Sequence, residues 1–232
     1  MLAIREHGVN DYLALRDMDA TDVGLLTDDD RACLDALGQY LVATDSWQRF
    51  GIWLLHKHFE PEPGEVFVER VLADKRQTRT VLVRRSAAQD LNATAVRFDP
   101  AVDSGLGVIG MEFAESDDFG AISPLSFDDE EVLAGIAELL RHYGKTQRFG
   151  VRLARNPLTV SEHEVLLETC DIAHRTLRCD VSARDRLGAE HEVIETTWQW
   201  KPVHDENGMT VVQACTTTCL RGEENHNILH SS

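Results

Sequence analysis

The chain has 232 residues, with 23 Lys and Arg against 40 Asp and Glu, a formal net charge of −17. Such acidity repels phosphate backbones, and no basic stretch of useful length offsets it, so the charge excludes nucleic acid as a partner. The 43% hydrophobic content supports a packed core, yet no run reaches 18 consecutive apolar residues and MLAIREHGVNDY lacks the layout of a signal peptide, so a soluble cytoplasmic protein with no membrane association is expected.

The predicted elements begin with a short helix over 10–16. Thr27, followed by Asp28, Asp29 and Asp30, supplies an N-cap and an acidic first turn for a longer helix whose Leu34, Leu37, Tyr40 and Leu41 recur at helical spacing. β-branched, aromatic and leucine residues then predict strands over 49–59, 65–72, 78–85, 93–98 and 108–113. Ser126 caps a second helix with Leu133, Ile136, Leu139 and Leu140 as its stripe. Strands follow over 148–155, 164–170, 177–183, 192–200 and 210–217.

The same order returns because the sequence repeats. Residues 24–85 align without a gap onto 123–184 at an offset of 99, with 16 identities in 62 positions, among them Gln48-Arg49-Phe50-Gly51 against Gln147-Arg148-Phe149-Gly150. A weaker match at an offset near 102 sets 95–100 opposite 197–202. The expected fold class is α+β, an internal tandem duplication in which each half is one helix followed by an antiparallel sheet of about four to five strands. The predicted organisation is an N-terminal segment 1–23, half one 24–122, half two 123–222 and a C-terminal tail 223–232. The halves would pack as one pseudo-two-fold domain, either face to face or edge to edge. Gly51 and Gly150 suit a close backbone approach at a strand start. Arg49 and Arg148 are expected to pair with the acidic helix starts or with Glu69 and Glu168. Residues identical in both halves read as scaffold, so function is sought where the halves differ.

Five cysteines, an odd number in a chain expected to be cytoplasmic, point to thiols or metal ligands rather than disulfides. His56 and His58, one residue apart on a predicted strand, point to the same face with Cα atoms about 7 Å apart and can converge on one metal ion. Ile52 and Leu54 would continue that face, an apolar surround that favours the neutral, ligating imidazole. The equivalent positions in half two are Arg155 and Pro157, so the repeat itself does not demand the pair. The stretch HKHFEPEPGEVFVE resembles the first metal motif of the cupins, in which a turn and a glutamate follow two strand histidines. The resemblance covers about fifteen residues and lacks the glycine expected after the following strand; it implies Glu62 or Glu65 as a carboxylate ligand. A second candidate is the tail, where Cys215, Cys219, His226 and His230 form a C-x3-C-x6-H-x3-H array of zinc-type donors. On a continuing strand Cys215 and Cys219 would lie about 13 Å apart, so the strand must end near Thr217 for both to ligate. The tail could close a site alone or share one with the His56 strand. Cys170 and Cys179 read as small core residues, and Trp198 and Trp200 as core or a ligand wall. No glycine-rich phosphate loop or nucleophile elbow is present, so no nucleotide cofactor is expected.

Two functions follow. The first is a metal-binding protein holding zinc, iron or copper, which becomes a small-molecule metalloenzyme of unassigned reaction if one coordination position stays open. The second is a metal-free pseudo-dimeric module that binds a ligand or a protein partner, or assembles as a homo-oligomer.

Overall fold

The computed structural model describes residues 2–18, 20, 22–102, 106–119, 122–155, 157–186, 193–205 and 208–220. In chain order the elements are β1 (Ile4–Glu6), α1 (Val9–Leu13), β2 (Arg16–Asp17), α2 (Asp28–Ala43), β3 (Phe50–Leu54), β4 (His56–Lys57), β5 (Glu65–Leu72), β6 (Gln77–Arg84), β7 (Leu91–Phe98), β8 (Val108–Glu115), α3 (Glu130–His142), β9 (Phe149–Leu153), β10 (Glu164–Asp171), β11 (Thr176–Ala183), β12 (Val193–Asp205) and β13 (Gly208–Leu220). Helix α2 starts at its expected cap, whereas Ser126 caps a 3-10 turn over Phe127–Asp129 that leads into α3. The Thr27 hydroxyl accepts from Asp30 N while the Asp30 carboxylate accepts from Thr27 N, and Ser126 and Asp129 make the same reciprocal pair ahead of α3.

The α+β expectation is overturned. Ten strands close into one mixed barrel, in the order β8-β5-β6-β11-β10-β13-β12-β3-β9-β7, with β7 pairing back to β8 and β1 added alongside β8. Consecutive strands do pair antiparallel, β5 with β6, β7 with β8, β10 with β11 and β12 with β13. Neither half, however, keeps a sheet to itself. Strand β8 returns parallel to β5, and β13 parallel to β10. Across the halves β6 pairs with β11, β3 with β9, β12 with β3, and β7 with β9. Closure leaves no open sheet edge between the halves, which removes the liability that two separate sheets would carry.

The registers are related at the two offsets noted in the sequence. Arg79 lies opposite Arg178, its counterpart at 99. The ladder irregularity at Ala93, Ala95 and Val96 recurs at Glu195, Thr197 and Trp198, 102 residues on. Gly51 and Gly150 sit where strands of opposite halves meet: a Cβ would lie 3.0 Å from Trp198 O at the first and 2.5 Å from Val96 O at the second.

Alternation along β3 sorts the core. Ile52 and Leu54 join Leu34, Leu37 and Leu41 of α2, Leu133, Ile136 and Leu140 of α3, and both Trp198 and Trp200 in the layer between helices and barrel. Trp53 and Leu55 face the other way, into an inner cluster with Phe67, Ala95, Ile109, Met111 and Leu177. The N-terminal segment plugs one end of it: Tyr12 stacks on Phe67 at 4.4 Å between ring centroids, and Leu15 packs alongside. Arg49 and Arg148 take the first of the two roles expected of them. Arg49 pairs with Asp129 at 2.5 Å and Arg148 with Asp30 at 3.7 Å, each reaching the helix start of the opposite half. Among the described residues no helix is long and apolar enough to cross a membrane.

Candidate metal centre

Strand β3 does not run on to residue 59 as its composition predicts. It stops at Leu54, and His56–Lys57 turns instead to pair in parallel with Arg16–Asp17. The break at Leu55 separates His56 from the helix-covered face of Ile52 and Leu54. The ring instead meets Trp53 edge-on at 6.2 Å and borders the inner cavity with Tyr12, His58, Phe59 and Phe67.

Four potential ligand atoms converge there. His56, His58, Glu168 and Cys219 each offer one, all within 4.8 Å of one another. The two Nε2 atoms of His56 and His58 are 3.2 Å apart, and each lies 3.7 Å from the Cys219 sulfur. A tetrahedral zinc ion, with bonds of about 2.0–2.1 Å to nitrogen and 2.3 Å to sulfur, sets N···N near 3.3 Å and N···S near 3.6 Å. The Cys219 thiol donates to Glu168 Oε2 at 2.6 Å; a cation that replaced this proton would open the pair to about 3.6 Å.

The surroundings fix the donors. His56 Nδ1 is 2.7 Å from the carbonyl of Leu54, which can only accept, so the proton sits on Nδ1 and the Nε2 lone pair faces the cluster. Burial lowers the pKa of His56, against the Glu168 charge that raises it. Burial first, then His56, holds His58 well below the ordinary imidazole value, so both rings are neutral. Glu168 also accepts from the Thr196 hydroxyl at 3.3 Å, and the Cys179 thiol stands 3.7 Å from its other oxygen. Burial, reinforced by Glu168, keeps the Cys219 thiol well above its usual range.

Glu69, the counterpart of Glu168, is neutralised by two guanidinium groups, Arg152 at 3.0 Å and Arg155. Arg155 is the counterpart of His56, and Pro157 of His58. Glu69 lies opposite Ala114 in the β5–β8 ladder, whereas Glu168 lies opposite Cys219 in β10–β13. Thus one slot holds Glu, Ala, Arg and Pro, and the other Glu, Cys, His and His. Among the described residues, Glu168 has no Lys or Arg at ion-pair distance, although it is only 3% exposed.

The remaining sequence candidates lie elsewhere. Glu62 pairs with Arg84 at 2.8 Å and Glu65 with Arg175 at 2.7 Å, both away from the cluster. Strand β13 continues unbroken through Thr217, so Cys215 and Cys219 do not come together. The Cys215 thiol donates to Thr217 O at 3.1 Å and is pushed up to about 12, chiefly by burial. His226 and His230 lie outside the described residues. Glu168 is the potential ligand that sequence reasoning passes over, because its identity with Glu69 marks it as scaffold. The available signal was a carboxylate between Leu167 and Thr169 on a strand too apolar to be solvated on both faces. No protein-family model, curated protein or solved structure matches the chain, so the chemistry of this centre rests on its own geometry.

Proposed function

We propose that the protein binds one transition metal ion inside its barrel, with His56, His58, Glu168 and Cys219 as ligands and zinc as the best-suited ion. The observation that carries this reading is Glu168, buried among potential ligand atoms and without an ion-pairing Lys or Arg among the described residues, set against a Glu69 held by two arginines. A buried carboxylate without a directly paired cation is costly. A divalent cation supplies the missing charge, and with Glu168 and a Cys219 thiolate the site becomes neutral.

Two imidazoles, one thiolate and one carboxylate form a donor set of mixed softness, and four convergent ligands suit tetrahedral zinc. The adjoining cavity measures about 10 Å³, space for one water and no substrate. The centre is therefore closed and its role is to hold the metal and stabilise the fold. The ion would tie the end of β3 and the N-terminal plug to the last strand of the barrel.

The test is elemental analysis of protein purified without a histidine tag, beside His58→Ala, Cys219→Ser and Glu168→Gln. We expect about one zinc per chain in the parent and its loss in each variant, with chelator lowering the thermal midpoint of the parent alone. Cobalt substitution should give an intense thiolate-to-metal band that Cys219→Ser abolishes. Metal-free parent protein, or metal retained in Cys219→Ser, overturns the proposal.

A further inference from the structure

The N-terminal segment that plugs the barrel carries a buried ionisable group that the metal centre does not use. His7, between β1 and α1, is 7% exposed, and its ring is walled by Tyr12, Phe67 and Phe113 at centroid distances of 5.7, 5.8 and 6.3 Å. Both ring nitrogens are closed off from solvent and neither makes a hydrogen bond; the Gly8 backbone lies near without reaching hydrogen-bond geometry. Buried polar groups are overwhelmingly paired, so an imidazole with both nitrogens open is an exception that asks for a reason. The main chain fixes the residue regardless, His7 N donating to Gly110 O of β8 at 3.0 Å.

The neighbouring charges leave the ring no free partner. On α1, Asp11 is taken by Arg5 at 2.6 Å and Arg97 at 3.4 Å; on β1, Glu6 is taken by Arg85 at 2.5 Å. On β8 Glu112 faces Arg152, while β5 presents the ring of Phe67. A proton on His7 would therefore create a cation with two N–H groups stripped of water. The surrounding rings return part of that loss through cation–π contact, but less than hydration supplied. Burial accordingly lowers the His7 pKa, with Gly8, Asp11 and Glu6 opposing it and Arg5 adding to it. The segment is also placed to matter. Tyr12 borders the inner cavity beside His56 and His58, and Arg16–Asp17 pairs with His56–Lys57, so residues 7–17 cross the end of the barrel at which both histidines lie.

We propose that residues 7–17 form an acid-opened cover over the His56 and His58 end of the barrel, closed while His7 is neutral and released when His7 takes up a proton. In the open state the ring is hydrated and titrates at its ordinary value of 6.5, so below that value the open population rises by up to about 10-fold per pH unit. The cover itself needs no metal; its consequence, faster loss of the ion in acid, rests on the metal-binding reading above.

The experiment is hydrogen exchange by mass spectrometry on the full chain at about pH 7.5 and about pH 5.5, corrected for intrinsic exchange rates, for the parent, His7→Phe and His7→Gln. Phenylalanine keeps a ring in the cage and cannot protonate; glutamine keeps a neutral polar group should the larger ring disturb the fold. Between the two pH values the protection of residues 2–18 is expected to fall about 10-fold further in the parent than in either variant, while that of β10 and β11 changes alike in all three. Glu112, His56 and His58 are common to the three proteins, so the difference reports His7. Parallel falls in parent and variants, or equal protection of the parent segment at both pH values, overturns the proposal. So does a matching extra fall in β10 and β11, which would mean general loosening rather than a moving cover. Zinc release to a chelator, read on the same samples, is expected to be faster at acid pH in the parent than in His7→Phe. Exchange is read with or without the ion: a zinc-free parent with an acid-opened segment sinks the metal reading and leaves the cover, and a zinc-bound parent with parallel falls does the reverse.

Discussion

Glu112 is 5% exposed and faces Arg152, a guanidinium it shares with Glu69. Burial raises its carboxyl from the usual 4.5 to about 7, against the pull of Arg152 and with the repulsion of Glu69 adding to the shift. The folded protein therefore keeps a proton that the unfolded chain has lost over this interval. Stability from this group is fully present below pH 4.5 and is lost as pH rises through 7. We expect Glu112→Gln to flatten the fall of stability between pH 5 and 8 and to leave the acid side unchanged. The gain at pH 8 is at most about 3 kcal/mol, the free energy of a shift of this size. Urea unfolding of both proteins at pH 5 and pH 8 measures it, and parallel profiles would contradict the assignment.

Among the elements, the joints between halves are where one methyl group matters most. At Gly150 a Cβ would meet Val96 O at 2.5 Å, a backbone atom fixed by the β7–β9 ladder, whereas at Gly51 the nearest atom is Trp198 O at 3.0 Å. Gly150→Ala is expected to destabilise by about 2–4 kcal/mol and Gly51→Ala by about 1 kcal/mol, the difference between a forced strand shift and a small one. Thermal melts of the pair decide it; equal losses would mean that the seam yields. The elements themselves were largely legible. Asp28–Ala43 begins at the cap that Thr27 and Asp30 announce, and the Glu65–Leu72 strand lies where its pattern places it. The strand over 49–59 was misread because its break at Leu55 has no local signal. It arises from the distant Arg16–Asp17 segment, which captures His56 and Lys57.

At the scale of the whole molecule the barrel interleaves its halves, since β3 lies between β12 and β9, and β9 between β3 and β7. A fragment spanning 24–122 thus lacks both partners of β3 and one partner each of β6 and β7. Expressed alone it should show no cooperative unfolding transition, while the full chain should unfold in one step by near-UV and far-UV circular dichroism. A folded fragment would overturn this. Such pairings explain what the sequence could not disclose. Hydrophobic alternation reports which residues form strands but not which strand a given edge meets, so an α+β fold of two sheets and a closed barrel share nearly the same local pattern. The site was half legible for a related reason. His56 and His58 stand out because their counterparts are Arg155 and Pro157, whereas Glu168 is masked by its likeness to Glu69 and shows its difference only through its neighbours.

The parallel pairing of β10 with β13 has a consequence for biosynthesis. It delivers the Cys219 sulfur to histidines 161 and 163 residues earlier in the chain. On a ribosome, His56 and His58 would leave the exit tunnel long before their thiol partner is made, and β3 would wait for β12 throughout that interval. A metal bound by all four side chains would thus be a late event, and its capture would mark the moment at which the circle of strands has closed.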